Sequence, residues 1–216
     1  LRHTTEQTSP PTPPPALAAA IERLAPSAAL RPLLDLRVTE LVAYQGEQYA
    51  DRYVRSVARV VAAERQLTGA DGPLSAAVAT GLYQLMAYKD EYEVARLLLD
   101  SAADAQLRAE FDEPIKVSWN LHPPVLRALG MKRKLRFGPW FRPALRTLAS
   151  AKRLRGTALD PFGRAHVRRI ERELVEHYEA LVGAIVDRVD AQSLADLTEL
   201  ARLTDTVRGY EHVKLD

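Results

Sequence analysis

The 216-residue sequence contains no cysteine. That removes disulfides, Cys-ligated zinc, Cys nucleophiles and Cys-ligated iron–sulfur clusters from what this chain can itself supply. The ten glycines are dispersed, and no G-x-x-x-x-G-K-[ST], G-x-G-x-x-G or G-x-S-x-G run is present to cradle a phosphate or present a serine nucleophile. The five histidines (His3, His122, His166, His177 and His212) are scattered, and none pairs at i, i+4 around a Glu, so the helical zinc-protease pattern is missing. No apolar run approaches the ~18 residues of a membrane span. The polar, proline-rich start, with Pro10, Pro11 and Pro13, is not a secretory signal. A cytoplasmic chain without a membrane segment is expected.

What is there is a globular composition, 47% hydrophobic and 27% charged, on a length that buries a normal core without staples. Residues 1–15 read as a proline-rich linker, since five of them are proline and little is apolar. Residues 16–216 read as a single helical domain. A short helix is expected over Ala16–Leu24. A long one follows over Asp35–Glu64, with Val38, Val42, Tyr49, Tyr53, Val57 and Val60 at helical spacing and only Gly46 to interrupt it. Leu74–Tyr88 is the next helix. Asp90 is an N-cap with Glu93 at the capping-box position, and Glu93–Arg96 is an i, i+3 pair. Ser101–Phe111 adds a short helix. From Ile115 to Leu121 the apolar residues alternate, so a strand is expected, with Lys134–Phe137 as its partner. Pro123–Leu129 is a small helix closed by Gly130. Helices resume at Phe141–Ala151, then after Asp160-Pro161, with an apolar stripe from Val167 to Val189, and finally at Ser193–Leu203. The fold class expected is mainly α, with a short β-ribbon insertion around residues 115–137.

Charge is segregated. The formal net charge is +2. Residues 1–114 carry 11 Lys/Arg against 16 Asp/Glu, residues 115–170 carry 14 against the single Asp160, and residues 171–216 carry 5 against 11. Three readings stand: the flanking acidic helices neutralise the block within the fold; it docks on an acidic surface of another domain or subunit; or it holds phosphates of a nucleotide, cofactor or nucleic acid. Arg outnumbers Lys 24 to 6, which suits bidentate contacts. Trp119, Phe137, Trp140, Phe141 and Phe162 lie in the block and could stack bases; the simpler reading is that Phe137, Trp140 and Phe141 are core anchors for a loop. The candidate partner or anion contacts are Lys132, Arg133, Lys134, Arg136, Arg155, Arg208, His212 and Lys214. His122, held before Pro123 and Pro124, is a base, a phosphate contact or a structural loop histidine. The cluster Arg208, Tyr210, Glu211, His212 and Lys214 pins the tail on a partner or ligand, or is a surface tail. Tyr44, Tyr49 and Tyr53 form a packing stripe. No catalytic residue and no metal ligand is assigned.

Several blocks also occur in a known order and spacing: Tyr44-Gln45 with Tyr49-Ala50 and Tyr53; Leu85 to Leu97; Phe137-Gly138-Pro139-Trp140; Leu154-Arg155-Gly156-Thr157 with Asp160-Pro161-Phe162-Gly163; Arg168 to Arg172; and Arg208-Gly209-Tyr210-Glu211-His212-Val213-Lys214. In these, over about Leu36 to Lys214, the chain resembles the C-terminal domain of indolepyruvate ferredoxin oxidoreductases. The resemblance implies a parent enzyme that is thiamine-diphosphate-dependent, carries [4Fe-4S] clusters, oxidatively decarboxylates aryl 2-oxoacids to acyl-CoA and passes electrons to ferredoxin. It implies a docking role for this piece, against other domains or subunits of that enzyme, with no cofactor of its own. The chain departs from the family pattern at Asn120-Leu121-His122-Pro123-Pro124 and at Gly209-Tyr210-Glu211-His212-Val213-Lys214. The alternative is a free-standing helical module that binds an acidic protein surface or nucleic acid through the basic segment 127–172.

Overall fold

The structure, a computed structural model, describes residues 12–100, 110, 117–121, 133 and 135–206. In chain order the elements are α1 (Pro15–Leu24), α2 (Leu30–Gln45), α3 (Glu47–Thr68), α4 (Pro73–Met86), α5 (Glu91–Leu98), β1 (Trp119–Leu121), β2 (Leu135–Phe137), α6 (Arg142–Ser150), α7 (His166–Arg188) and α8 (Leu194–Ala201), with short 3-10 turns at Pro139–Phe141, Ala151–Leu154 and Arg202–Thr206. The chain is mainly helical with one small antiparallel sheet, as the sequence leads one to expect. The range read as one helical domain divides into two compact units, residues 1–88 with 155–216, and residues 89–154.

In the first unit α4 is the hub. It is apolar on nearly every side, with Leu74, Val78, Leu82, Leu85 and Met86 buried, which is the mark of a helix surrounded by others. It packs against α2, α3, α7, α8 and the 3-10 turn that follows α8. Its N-terminus is held from outside. The Glu64 carboxylate, only 1% exposed, accepts from the backbone N–H of Gly72 (2.9 Å), Leu74 (3.0 Å) and Ser75 (2.9 Å) and from the Ser75 hydroxyl (2.6 Å). These are first-turn donors that a helix cannot satisfy itself. At the other end, Tyr49 donates its hydroxyl to Met86 O and Tyr44 donates to Tyr88 O, each at 3.0 Å, while Tyr53 reaches Ala79 O. The tyrosine stripe is thus core, and burial pushes the Tyr49 and Tyr53 phenols well above their ordinary pKa.

The expected helix Asp35–Glu64 is corrected to two. Gly46 takes φ 110 and ψ 177, a conformation that belongs to glycine. The chain breaks there, and α2 packs against α3. The break lets Val38 and Leu41 on one helix and Tyr53, Val57 and Val60 on the next join a single core. Arg65 ties the first loops together: it donates to Leu24 O and Ala25 O and pairs with Asp71 at 2.7 Å, while Asp71 also accepts from the Ser27 N–H.

The second unit is built on α5, the ribbon and α6. Asp90 caps α5 by accepting from the Glu93 N–H at 2.8 Å, and Glu93 pairs with Arg96 at 2.6 Å, both as expected. The ribbon is antiparallel in the register Trp119↔Phe137, Asn120↔Arg136, Leu121↔Leu135. Trp119, Ala95 and Leu145 form the buried centre, with Phe137, Phe141 and Leu148 packed around it. The expected helices at 101–111 (apart from Glu110) and 123–129, and the tail 207–216, lie outside the described residues, as does the linker before Thr12.

The second correction falls at Asp160-Pro161. The helix begins at His166, because the Asp160 carboxylate is spent inside the preceding loop. It accepts from Gly156 N–H at 2.8 Å and Phe162 N–H at 3.1 Å, so it closes a loop rather than capping a helix.

Candidate functional site

The basic segment divides into two parts with different chemistry. The part in the second unit carries exposed arginines and a partly exposed aromatic group. Residues 115–154 hold ten Lys/Arg and no Asp/Glu. Among the described ones, Arg133, Arg136, Arg146 and Arg153 are exposed, and none of these four pairs with a carboxylate of the described residues. Arg136 instead donates to the Ser118 hydroxyl across the ribbon at 3.0 Å. Phe137, Trp140 and Phe141 form one aromatic group: the Phe137 and Phe141 rings stack at 4.2 Å, and Trp140 meets Phe141 edge-on at 5.6 Å. Trp140 itself is 71% exposed. Expected as a core anchor for a loop, it instead lies outside the buried centre and meets only the partly buried Phe137 and Phe141 rings.

The part in the first unit is a loop, residues 155–165, leading into α7. Gly156 at φ 74 turns the chain. Gly163 passes so close to Asp160 that a Cβ there would sit 2.6 Å from the carboxylate. Arg172 reaches back from α7 to Gly163 O at 2.7 Å. The loop is therefore tied at both ends and borders an open cavity of about 310 Å³ lined by Gly156, Asp160, Gly163, Arg164, Arg169 and Arg172, among others. A second cavity of about 200 Å³ shares Gly156 and Arg172 and continues along Gln45, Tyr49, Arg52 and Glu176. Arg52 is held there by Glu179, donating through Nε at 2.7 Å.

Arg155 sits differently from a surface contact. It is 4% exposed, its Nη1 donates to Tyr44 O at 2.8 Å, and its guanidinium lies 3.7 Å from the centroid of the Tyr44 ring. Hydrogen bonding and cation–π attraction take it into the core, where it anchors the loop and walls the smaller cavity. Arg168 is also buried, paired with Glu171 at 2.6 Å. Arg133 and Arg136 are the two expected contacts that the structure places at the surface of the second unit. Lys132, Lys134, Arg208, His212 and Lys214 lie outside the described residues, as does His122. Arg164, Arg169 and Arg172 are not among the anion contacts expected from the sequence, although Arg169 and Arg172 stand in a block that carries the family resemblance. Their signal was present as a run of basic residues, but their convergence depends on how the loop folds.

Among the described residues no group of three His, Asp or Glu side chains is placed to hold a metal ion, and no helix is long and apolar enough to cross a membrane. No curated protein and no solved structure matches the chain. Residues 30–216 match a family of unknown function, DUF6537, and the chain belongs to that family.

Proposed function

We propose that this chain is a non-catalytic docking domain at the C-terminal end of a thiamine-diphosphate-dependent indolepyruvate (2-oxoacid):ferredoxin oxidoreductase-like enzyme, and that its second unit seats on an acidic surface of another domain or subunit of that enzyme. The observation that carries the docking is the exposed Trp140, 71% accessible, on a segment with ten basic residues and no acid. A Trp left in water among arginines is the composition of an interface centre, where aromatic and Arg side chains contribute most of the binding energy. The cationic surround steers an acidic partner and fixes its register. The parent enzyme is argued from the resemblance of the blocks between Leu36 and Lys214.

Without cysteine the chain itself offers no thiolate to a [4Fe-4S] cluster. No catalytic step is assigned to it, and ferredoxin is a partner of the whole enzyme. A cytoplasmic location goes with this reading.

In the full-length enzyme, charge reversal at Arg133, Arg136 and Arg146 together, or Trp140→Ala, is expected to lower turnover or subunit assembly about tenfold, and rising salt is expected to weaken the wild type toward the charge-reversed variant. All four side chains are on the surface or partly so, which separates this effect from unfolding. Unchanged turnover and assembly would reject the docking reading.

The same exposed Trp140 favours a second reading, stacking of a single-stranded nucleic acid base on a basic surface. Fluorescence polarisation with short oligonucleotides separates the two. Binding with a steep salt slope supports it; no binding at low salt removes it.

A further inference from the structure

We propose that the cavity between loop 155–165 and the start of α7 binds the phosphate group of a small polyhydroxylated phosphate ester, such as a sugar phosphate. This inference concerns the first unit and is independent of the docking reading. Arg164, Arg169 and Arg172 line the cavity together with one acidic residue, Asp160. That carboxylate accepts from the Gly156 and Phe162 N–H groups. Arg164 and Arg169 are exposed and have no carboxylate partner among the described residues. Arg172 spends one N–H on Gly163 O and keeps further donors of its fork for a ligand.

Converging like charges repel, and here no acid in the first turn of α7 relieves them. Arg169 also stands near the positive end of that helix, where a cation is disfavoured. An oxyanion at this place would remove the repulsion and accept the bidentate contacts that guanidinium groups make with phosphate. The loop is fixed before any ligand arrives, by Gly156 in the left-handed region, by the close pass of Gly163 over Asp160 and by the Arg172 contact. Preorganisation of this kind lowers the cost of binding.

The cavity of about 310 Å³ lies at the low end of the range for small-molecule sites. The neighbouring cavity, sharing Gly156 and Arg172, presents the Gln45 amide, Arg52 and the Glu176 carboxylate. Those are donors and acceptors suited to hydroxyl groups, and they assign the organic part of the ligand to a polyol rather than to an apolar tail.

Isothermal titration calorimetry of the 216-residue chain with ribose 5-phosphate, inorganic phosphate and ribose tests this. Ribose 5-phosphate is expected to saturate at one per chain, at least tenfold tighter than inorganic phosphate, with no heat from ribose. The Arg164→Gln/Arg169→Gln double variant is expected to lose at least tenfold in affinity at an unchanged melting temperature. Gln45→Ala is expected to bring ribose 5-phosphate down to the affinity of inorganic phosphate. No saturable binding, equal affinity for the two phosphates, or full affinity in the double variant would overturn the proposal.

Discussion

Glu64 on α3 acts as the N-cap of a different helix. Its carboxylate holds three backbone N–H groups and the Ser75 hydroxyl at the start of α4, in a place 1% exposed to solvent. Glu64→Ala leaves those donors buried without an acceptor, and at ~1–3 kcal/mol for each orphaned group the expected loss is about 3 kcal/mol or more. Urea denaturation reads it, and an unshifted midpoint would contradict the role. Gly81 works by having no side chain. A Cβ there would lie 2.6 Å from both Thr204 Oγ1 and the Tyr178 hydroxyl, and Tyr178 is fixed by donating to Ala201 O at 2.8 Å. Gly81→Ala is therefore expected to cost about 1–3 kcal/mol through overpacking, seen as a lower melting temperature. Asp71 gives the molecule an acid-sensitive tie. Burial alone would raise its pKa, but hydrogen bonds from Ser27 and Arg65 outweigh burial and hold it at about 2. A folded pKa below the unfolded value stabilises above the unfolded value, and this is lost as pH falls from about 4 toward about 2. In Asp71→Asn that part of the acid dependence should vanish, so the stability gap between wild type and variant narrows over this window. A gap independent of pH would contradict the assignment.

The elements show which sequence signals are sufficient. Helix α7, with its continuous apolar stripe, and the alternating residues of β1 are legible because one local period decides the buried face, while α4 is legible from its all-round apolar content. The capping of α5 is legible because Asp90 and Glu93 act on each other's neighbourhood. The turn at Gly46 is hidden: Val42 and Tyr49 lie at helical spacing on either side, so the pattern runs through the reversal, and only the backbone angle marks it. Gly46→Ala forces a Cβ into φ 110 and is expected to cost about 1–3 kcal/mol, read as a lower urea midpoint; an unchanged midpoint would show that the turn tolerates a side chain. Asp160-Pro161 carries the local signature of a helix start, but the competing N–H groups of Gly156 and Phe162 win the carboxylate. The arginine cavity was half legible. Composition shows the basic run, whereas the inward course of Arg155 onto Tyr44 depends on a partner 111 residues away.

On the scale of the whole molecule, charge is sorted along the chain, and the sorting serves two surfaces of different kind. The acid-free segment 115–154 carries an exposed Trp140, a combination suited to a macromolecular partner. The arginines at the start of α7 line a concave site sized for a small anion. The docking account requires that this polypeptide be one part of a long enzyme, since the cluster-binding cysteines must be supplied elsewhere. The measurement that tests it most directly is the mass of the native polypeptide in its source cells, by antibody detection on a denaturing gel. The account predicts a band far above 24.0 kDa, with the cysteines and the thiamine site on the same polypeptide. A single band near 24.0 kDa would contradict it and leave a free-standing anion-binding module.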